Sequence, residues 1–140
     1  MRVSALHHPG APRDDGSMAP VARLTSFVFD CRDPLESAEF YASLTGWEIS
    51  RTDTDWIEIS GGGPTVLAFQ LAPDHHPPTW PDADHPQQAH LDFDVDDLDR
   101  AEEAALAIGA RKAAVQPHPN YRVFLDPAGH PFCLCLAGAS

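Results

Sequence analysis

Hydrophobic and polar positions follow two different periods along the first half of the chain. Residues 24–31 (LTSFVFDC) are rich in β-branched and aromatic side chains, with apolar residues at every second position from Phe27 to Cys31, and this period of two predicts a strand. Residues 34–45 instead repeat their apolar side chains at helical spacing. A helix is expected there, because Asp33 can accept hydrogen bonds from its first amides and Gly46 is a natural stop. Three further strands are predicted, at residues 47–50, 55–60 and 64–71.

The second half of the chain repeats this order. Residues 89–96 (AHLDFDVD) alternate strictly, and Asp97 then precedes a helical pattern that ends at Gly109. The interval from Asp33 to Asp97 equals the interval between the strands that precede them, which indicates an internal duplication. The remaining strands are predicted at residues 110–115 (a weak edge strand), 121–125 and 131–136. We therefore predict an α+β fold of two βαβββ modules, residues 22–72 and residues 89–137.

Two segments lie outside these modules. Residues 73–88 are rich in proline and lack periodicity, so we predict a stiff linker that connects the modules. Residues 1–21 lack the apolar centre of a signal peptide and are rich in proline, glycine, histidine and aspartate. We expect a disordered leader there, with Met18 as an alternative start of translation.

The composition argues against two classes of partner. The formal net charge is −12, whereas a nucleic-acid-binding protein needs a basic surface. The same acidic surface would repel anionic lipid headgroups, and the sequence contains no run of the ~18–20 apolar residues that span a bilayer. We therefore expect no nucleic-acid partner and no membrane partner. Cys31, Cys133 and Cys135 match no disulfide framework or zinc-knuckle spacing, so reduced thiols in the cytoplasm are expected.

Several stretches resemble one known superfamily. Asp33 to Trp47 reads D-P-x-x-x-A-x-F-Y-x-x-L-x-G-W, residues 96–99 read DDLD, and residues 126–134 follow the pattern D-P-x-G-x-x-x-x-L. In this order the motifs resemble the vicinal oxygen chelate superfamily of glyoxalases, bleomycin-resistance proteins and extradiol dioxygenases. Three further segments resemble the glyoxalase-like branch of this superfamily in particular, namely residues 67–70, 78–81 and 86–92. The resemblance covers about residues 22–137.

The resemblance implies a fold and a site. The two modules would form a cupped mixed sheet with the helices on the outside and a small-molecule ligand on the concave face. Many members of the superfamily hold a divalent metal there, through one residue from the first strand and one from the last strand of each module. Transferred to this chain, the four positions are Ser26, Gln70, His90 and Cys133.

Strand parity supports this placement for the first strands. Apolar residues such as Phe29 and Phe93 should pack under the helices, so residues of opposite parity face the cup. His90 then shares the concave face with Asp92, which could orient the imidazole or bind a cationic group. The alternative is that Asp92 is solvated at an open rim.

The four transferred positions do not form the usual metal site of the superfamily. His90 is a common metal ligand, but both of the glutamates expected from the superfamily are missing, and serine is a poor ligand. A Cys/His pair would suit zinc rather than magnesium, manganese or nickel. We therefore expect no cofactor, with zinc on His90 and Cys133 as the alternative. Cys133 would otherwise be a small buried apolar residue.

His90 is the candidate catalytic residue. With an unperturbed pKa near ~6.5, an imidazole can serve as acid or base, although His90 could equally be a hydrogen-bonded residue of the wall. Trp80 in the linker could form an aromatic wall for a planar ligand or anchor the linker to the core. The candidate ligand contacts are Ser26, Gln70, Trp80, Asp92 and Cys133.

Two functions of different class fit these residues. The first is a metal-free protein that binds, and thereby sequesters, a hydrophobic or aromatic small molecule. The alternative is a lyase or isomerase that uses His90 as a proton shuttle or a divergent zinc site. Because superfamily members commonly pair and unpaired sheet edges favour pairing, a homodimer is expected. The ligand, and whether one chain or two build the cup, are left open.

Overall fold

The computed structural model describes residues 20–139, so residues 1–19 of the predicted leader lie outside the described part. The elements are β1 Ser26–Cys31, α1 Pro34–Thr45, β2 Glu48–Thr52, β3 Trp56–Ser60, β4 Val66–Leu71, β5 Leu91–Val95, α2 Leu98–Ala107, β6 Arg111–Lys112, β7 Tyr121–Leu125 and β8 Pro131–Leu136. Within the described residues, no helix has the length and apolar character needed to cross a membrane.

Each half of the chain builds its own four-stranded sheet. The strand order is β1-β4-β3-β2 in module 1 and β5-β8-β7-β6 in module 2. In both sheets the first strand runs parallel to the last, and the other neighbours are antiparallel. This topology confirms the predicted α+β fold of two βαβββ modules. Because β1 and β5 stand at the ends of their sheets, each keeps one edge that no strand of the described chain pairs with.

Both helices begin and end close to where the sequence predicts. The Asp33 side chain accepts a hydrogen bond from the Glu36 amide at the start of α1, and Asp97 does the same for Arg100 at the start of α2. Gly46 follows α1 with φ of 75°, a left-handed conformation that costs glycine little.

The second strand of module 2 is much shorter than predicted. We expected a strand at residues 110–115, but β6 contains only Arg111 and Lys112. Beyond it, the Gln116 side chain donates to the Ala113 and Val123 carbonyls and accepts from the Val123 amide. A side-chain amide therefore takes the place of ladder hydrogen bonds that would have extended the strand.

The two modules share one hydrophobic core. Tyr41 of α1 is fully buried, stacks on Phe29 and Phe69 of module 1, and meets Phe132 of module 2 edge to face. Its hydroxyl donates a hydrogen bond of 2.6 Å to Asp126, which is also fully buried. The modules therefore pack as one unit through the α1 side of their sheets.

The opposite face of each sheet, which we call the open face, carries no helix. On β1, Phe29 and Cys31 are buried in the core. The alternate residues Val28 and Asp30 are exposed. On β5, Phe93 packs on the core and Asp92 is exposed. The predicted strand parity is confirmed, and it places His90 and Asp92 on the open face of module 2.

Candidate functional site

A cavity of about 430 Å³ lies on the open face of module 2 and is called the site cavity below. Its floor follows from the strand register, because Asp92 pairs with Cys133 and Cys133 pairs with Val123 across three strands. Two residues further along β8, Cys135 pairs with Tyr121. The residues of the sheet and its edge that line the cavity are His90, Asp92, Tyr121, Val123, Pro131, Cys133 and Cys135.

The walls of the site cavity come from two loops. Trp80 and Gln87 of the linker, together with Pro117, complete the lining. The Thr79 amide donates to the His85 carbonyl, and the His85 amide donates back to the Thr79 hydroxyl. These bonds close residues 79–85 into a loop that presents Trp80 to the cavity. The predicted linker therefore contributes to the cavity as well as connecting the modules.

A carboxylate lies at the centre of the polar floor. The Asp92 Oδ1 atom is 3.2 Å from His90 Nε2, and both side chains are partly exposed. The Cys133 thiol lies nearby, since the ligand atoms of His90, Asp92 and Cys133 are all within 4.8 Å of one another. This arrangement lets Asp92 orient the His90 ring.

The surroundings of Cys133 disfavour its thiolate. Burial, followed by the negative charge of Asp92, raises the pKa of Cys133 to about 12. Burial and the same carboxylate also raise the pKa of Cys135. Nucleophilic chemistry by these thiols is disfavoured, because a reactive cysteine needs a lowered pKa.

The donor atoms nevertheless suit one class of metal. The ligand atoms of His90, Asp92 and Cys133 lie within 4.8 Å of one another, and imidazole, carboxylate and thiolate are the ligands of zinc. Three such ligands would leave an open coordination position, and zinc binding would displace the thiol proton. The residues present therefore fit zinc better than magnesium or manganese.

Four of the six predicted site residues come together. His90, Asp92, Cys133 and Trp80 line the site cavity, whereas Ser26 and Gln70 lie in module 1 and do not. Ser26 pairs with Val66, four residues before Gln70 on β4, so these two are also apart from each other. Within one chain the site cavity is built by module 2 and two loops, not by a hollow shared between the modules.

The strand register also corrects one correspondence between the modules. We matched Gln70 to Cys133, but Cys133 pairs with Asp92, and the equivalent pair in module 1 is Ala68 with Val28. The structural counterpart of Gln70 is Cys135. The assignment from sequence was therefore displaced by two residues along the last strand of one module.

The sequence interpretation missed several lining residues. Val123 and Cys135 could have been found, because they share parity with Tyr121 and Cys133 on strands that were predicted correctly. Gln87 and Pro117 lie in loops without periodicity, and no sequence signal places them at the cavity. The ring of His118 stacks on Tyr121 with centroids 5.3 Å apart and helps to hold that wall.

A family model described as "Glyoxalase-like domain" matches residues 26–135. This range includes every strand and helix except the last residue of β8. No curated protein matches the sequence significantly.

Solved structures share the fold at low sequence identity. A glyoxalase/bleomycin resistance protein/dioxygenase family enzyme from Burkholderia phytofirmans PsJN is 20% identical, with a TM-score of 0.63 over 81% of this chain and 97% of that one. A glyoxalase-related enzyme from Fulvimarina pelagi is 19% identical, with a TM-score of 0.61 over 81% and 87%. The bleomycin resistance determinant of transposon Tn5 is 19% identical, with a TM-score of 0.54 over 84% and 99%.

Proposed function

The chain belongs to the family of glyoxalase-like domains, and from this premise we propose that it binds a small molecule with a flat, apolar part in the site cavity. One observation carries the proposal: an indole and a phenol ring, those of Trp80 and Tyr121, line a cavity with a polar floor. Its volume of about 430 Å³ lies within the usual range of ligand pockets, ~300–1,000 Å³.

The lining offers separate contacts for the apolar part and the polar part of a ligand. Trp80 and Tyr121 offer aromatic surface on which a planar group can stack, with prolines beside them. His90 and Asp92 offer a donor and an acceptor that fix the orientation of a polar group. Trp80 lies on the linker loop that the hydrogen bonds between Thr79 and His85 close, so the loop holds the indole beside the sheet. Such a protein would sequester its ligand without changing it.

The test is a ligand-observed NMR screen of small aromatic fragments. Hits should bind the parent protein and lose about tenfold in affinity with Trp80→Ala, since a stacked ring contributes roughly 0.5–1.5 kcal/mol beyond its area. Trp56→Ala is the matched control, because Trp56 is also half-buried but lies on β3 of module 1. Hits that weaken with Trp56→Ala and not with Trp80→Ala would move the site to module 1 and refute the proposal.

An enzyme is the second candidate, and the His90–Asp92 pair favours it. A histidine oriented by a carboxylate can remove a proton from an enolisable substrate and return it to a neighbouring atom. In this reaction Asp92 would hold the ring and His90 would carry the proton. Loss of turnover of an α-ketoaldehyde or another enolisable substrate with His90→Ala would support a lyase or isomerase.

Zinc is the cofactor that this second candidate could use. His90, Asp92 and Cys133 would hold it, and a bound zinc ion would polarise a substrate oxygen. Elemental analysis of untagged protein, followed by zinc titration with a thermal-shift measurement, separates the zinc enzyme from the metal-free functions. Zinc at one ion per chain that disappears with His90→Ala and Cys133→Ser supports the zinc enzyme. The proposed metal-free function predicts less than a tenth of that amount.

We also propose that two chains associate and that the protein works in the cytoplasm. The free edges of β1 and β5, together with the exposed Val28 on the open face of module 1, offer a surface for a second copy. Cys31, Cys133 and Cys135 are free thiols, as expected for a reducing compartment.

A further inference from the structure

The charge around the site cavity has one sign. The lining includes the carboxylate of Asp92 and contains neither lysine nor arginine. The next residue of β5 on the same face, Asp94, is also acidic but does not line the cavity. The cavity therefore presents a negative potential that repels anions, in a chain whose formal net charge is −12.

The nearby basic side chains are engaged elsewhere. Arg122 lies between Tyr121 and Val123 on β7, but its guanidinium contacts Asp99 at 2.8 Å and Glu102 at 3.6 Å on α2. Lys112 of β6 contacts Glu102 at 2.8 Å. Since these contacts lie on the α2 side of the sheet, neither cation neutralises Asp92 across the open face.

Aromatic faces and a carboxylate together recognise a positive charge. The face of an indole or phenol ring attracts ammonium and guanidinium groups through its quadrupole, and aromatic cages bind quaternary ammonium ligands in this way. Trp80 and Tyr121 supply the rings and Asp92 supplies the counter-charge within one cavity. From this combination we infer that the preferred ligands of the site cavity are organic cations that carry an ammonium group beside a flat apolar part. This inference rests on the proposed binding function and specifies its ligand class.

The experiment compares probes that differ in charge and little in shape. Benzyltrimethylammonium is the cationic probe, neopentylbenzene is its neutral carbon analogue and phenylacetate is an anionic aromatic probe. Dissociation constants are measured by NMR titration with the full chain. The cation should bind about tenfold more tightly than the neutral analogue, since a desolvated cation–π contact contributes up to about 2 kcal/mol, and phenylacetate should bind most weakly.

Two variants of one position and one control test the role of Asp92. Asp92→Asn should remove the preference for the cation over neopentylbenzene, whereas Asp92→Glu should retain the preference. Asp94→Asn is the matched control, because Asp94 is an exposed carboxylate on the same strand and face but does not line the cavity. It should leave the ratio of the two dissociation constants within about twofold of the parent, because its carboxylate lies outside the cavity lining.

The possible outcomes separate this inference from the proposed function. If benzyltrimethylammonium and neopentylbenzene bind equally and Asp92→Asn changes neither affinity, the cation inference is overturned and the binding function stands. If no probe binds at millimolar concentration, the proposed binding function itself fails, and the cation inference with it. A cation preference that persists in Asp92→Asn and is lost in Asp94→Asn would also overturn the inference, because the counter-charge would lie outside the cavity.

Discussion

Tyr41 joins the two modules through one short hydrogen bond inside the core. Its hydroxyl donates to Asp126 at 2.6 Å, and the amides of Ala128 and His130 donate to the other oxygen of that carboxylate. The turn of residues 126–130 is therefore held in place from module 1. Burial and the nearby Asp126 charge raise the pKa of Tyr41 well above its usual range, so the hydroxyl keeps its proton.

Removing this hydroxyl should destabilise the protein. Tyr41→Phe keeps the stacked ring but leaves a fully buried carboxylate oxygen without its donor, which costs about 1–3 kcal/mol. The free energy of unfolding in urea measures the effect. Tyr121→Phe, which removes the hydroxyl of a half-exposed ring, should change this free energy by less than about 0.5 kcal/mol. Equal effects of the two variants would show that the Tyr41–Asp126 bond does not join the modules.

The charge of Asp92 should control the reactivity of Cys133. With its pKa raised to about 12, the parent thiol should react slowly with iodoacetamide at pH 8.5. Asp92→Asn removes the negative charge and should accelerate the modification several-fold, although burial still raises the pKa. Site-resolved mass spectrometry gives the rate, with the fully buried Cys31 as internal control. A slower reaction of Cys133 in the variant would contradict the assigned contact.

At the scale of elements, the linker is held to module 2 by histidine rings. The His75 and His130 rings lie 4.8 Å apart, and His130 Nε2 lies 2.7 Å from the Asp30 carbonyl oxygen of β1. His75 Nε2 is buried and has no hydrogen-bond partner among the described residues. Burial, and then the proximity of His130, lower the pKa of His75.

The packing of the linker on module 2 should therefore contribute less to the stability of the folded protein at acidic pH. Because the folded pKa of His75 lies below its ordinary value of ~6.5, the folded state binds fewer protons than the unfolded state around that pH. The stability that the neutral His75 ring contributes is therefore present at pH values above its ordinary pKa of ~6.5, and it is lost as the pH falls below that pKa. Melting temperatures at pH 7.5 and 5.5 measure the loss, and His75→Phe should reduce the difference. The same pH dependence in His75→Phe and the parent would contradict this assignment.

The elements show which parts of the fold can be predicted from the sequence. The two capped helices, β7 and β8 have local signals that tertiary contacts reinforce, and they agree with the structure within two residues. The short β6 could not be predicted, because its end depends on how the Gln116 side chain folds back onto β7. Apolar residues alternate at Leu67, Phe69 and Leu71, so a pattern of apolar-x-apolar fits two registers there. This ambiguity displaced the match of Gln70 by two residues.

The candidate site can also be predicted from the sequence only in part. Strand parity was enough to place His90 and Asp92 on one face, and the resemblance to the superfamily added Cys133. The ligand atoms of these three residues lie within 4.8 Å of one another in the structure. The roles assigned to them stay predictions, as do those of Ser26, Gln70 and Trp80. The loop residues of the cavity depend on the path of the linker, which no periodicity in the sequence encodes.

For the whole molecule, the open face of module 1 carries no helix, and linker residues such as His76 and His85 share a cavity with Val28 on it. Val28 is 38% exposed there beside the free edge of β1. We predict that the protein elutes with twice the mass of one chain in size-exclusion chromatography with light scattering at micromolar concentration. Val28→Glu should shift it to the mass of one chain, because it buries a charge in the interface. Leu106→Glu, at an exposed apolar position on α2, is the control and should remain dimeric. A parent protein with the mass of one chain would contradict the homodimer.

The central claim is that ligands bind on the open face of module 2, and NMR chemical-shift mapping tests it most directly. Benzyltrimethylammonium and neopentylbenzene are added in turn to ¹⁵N-labelled protein, and the perturbed resonances are assigned. We predict that the largest changes fall on the Trp80 indole and on the amides of His90, Asp92 and Cys133. Changes confined to α1, α2 or module 1 would contradict the claim.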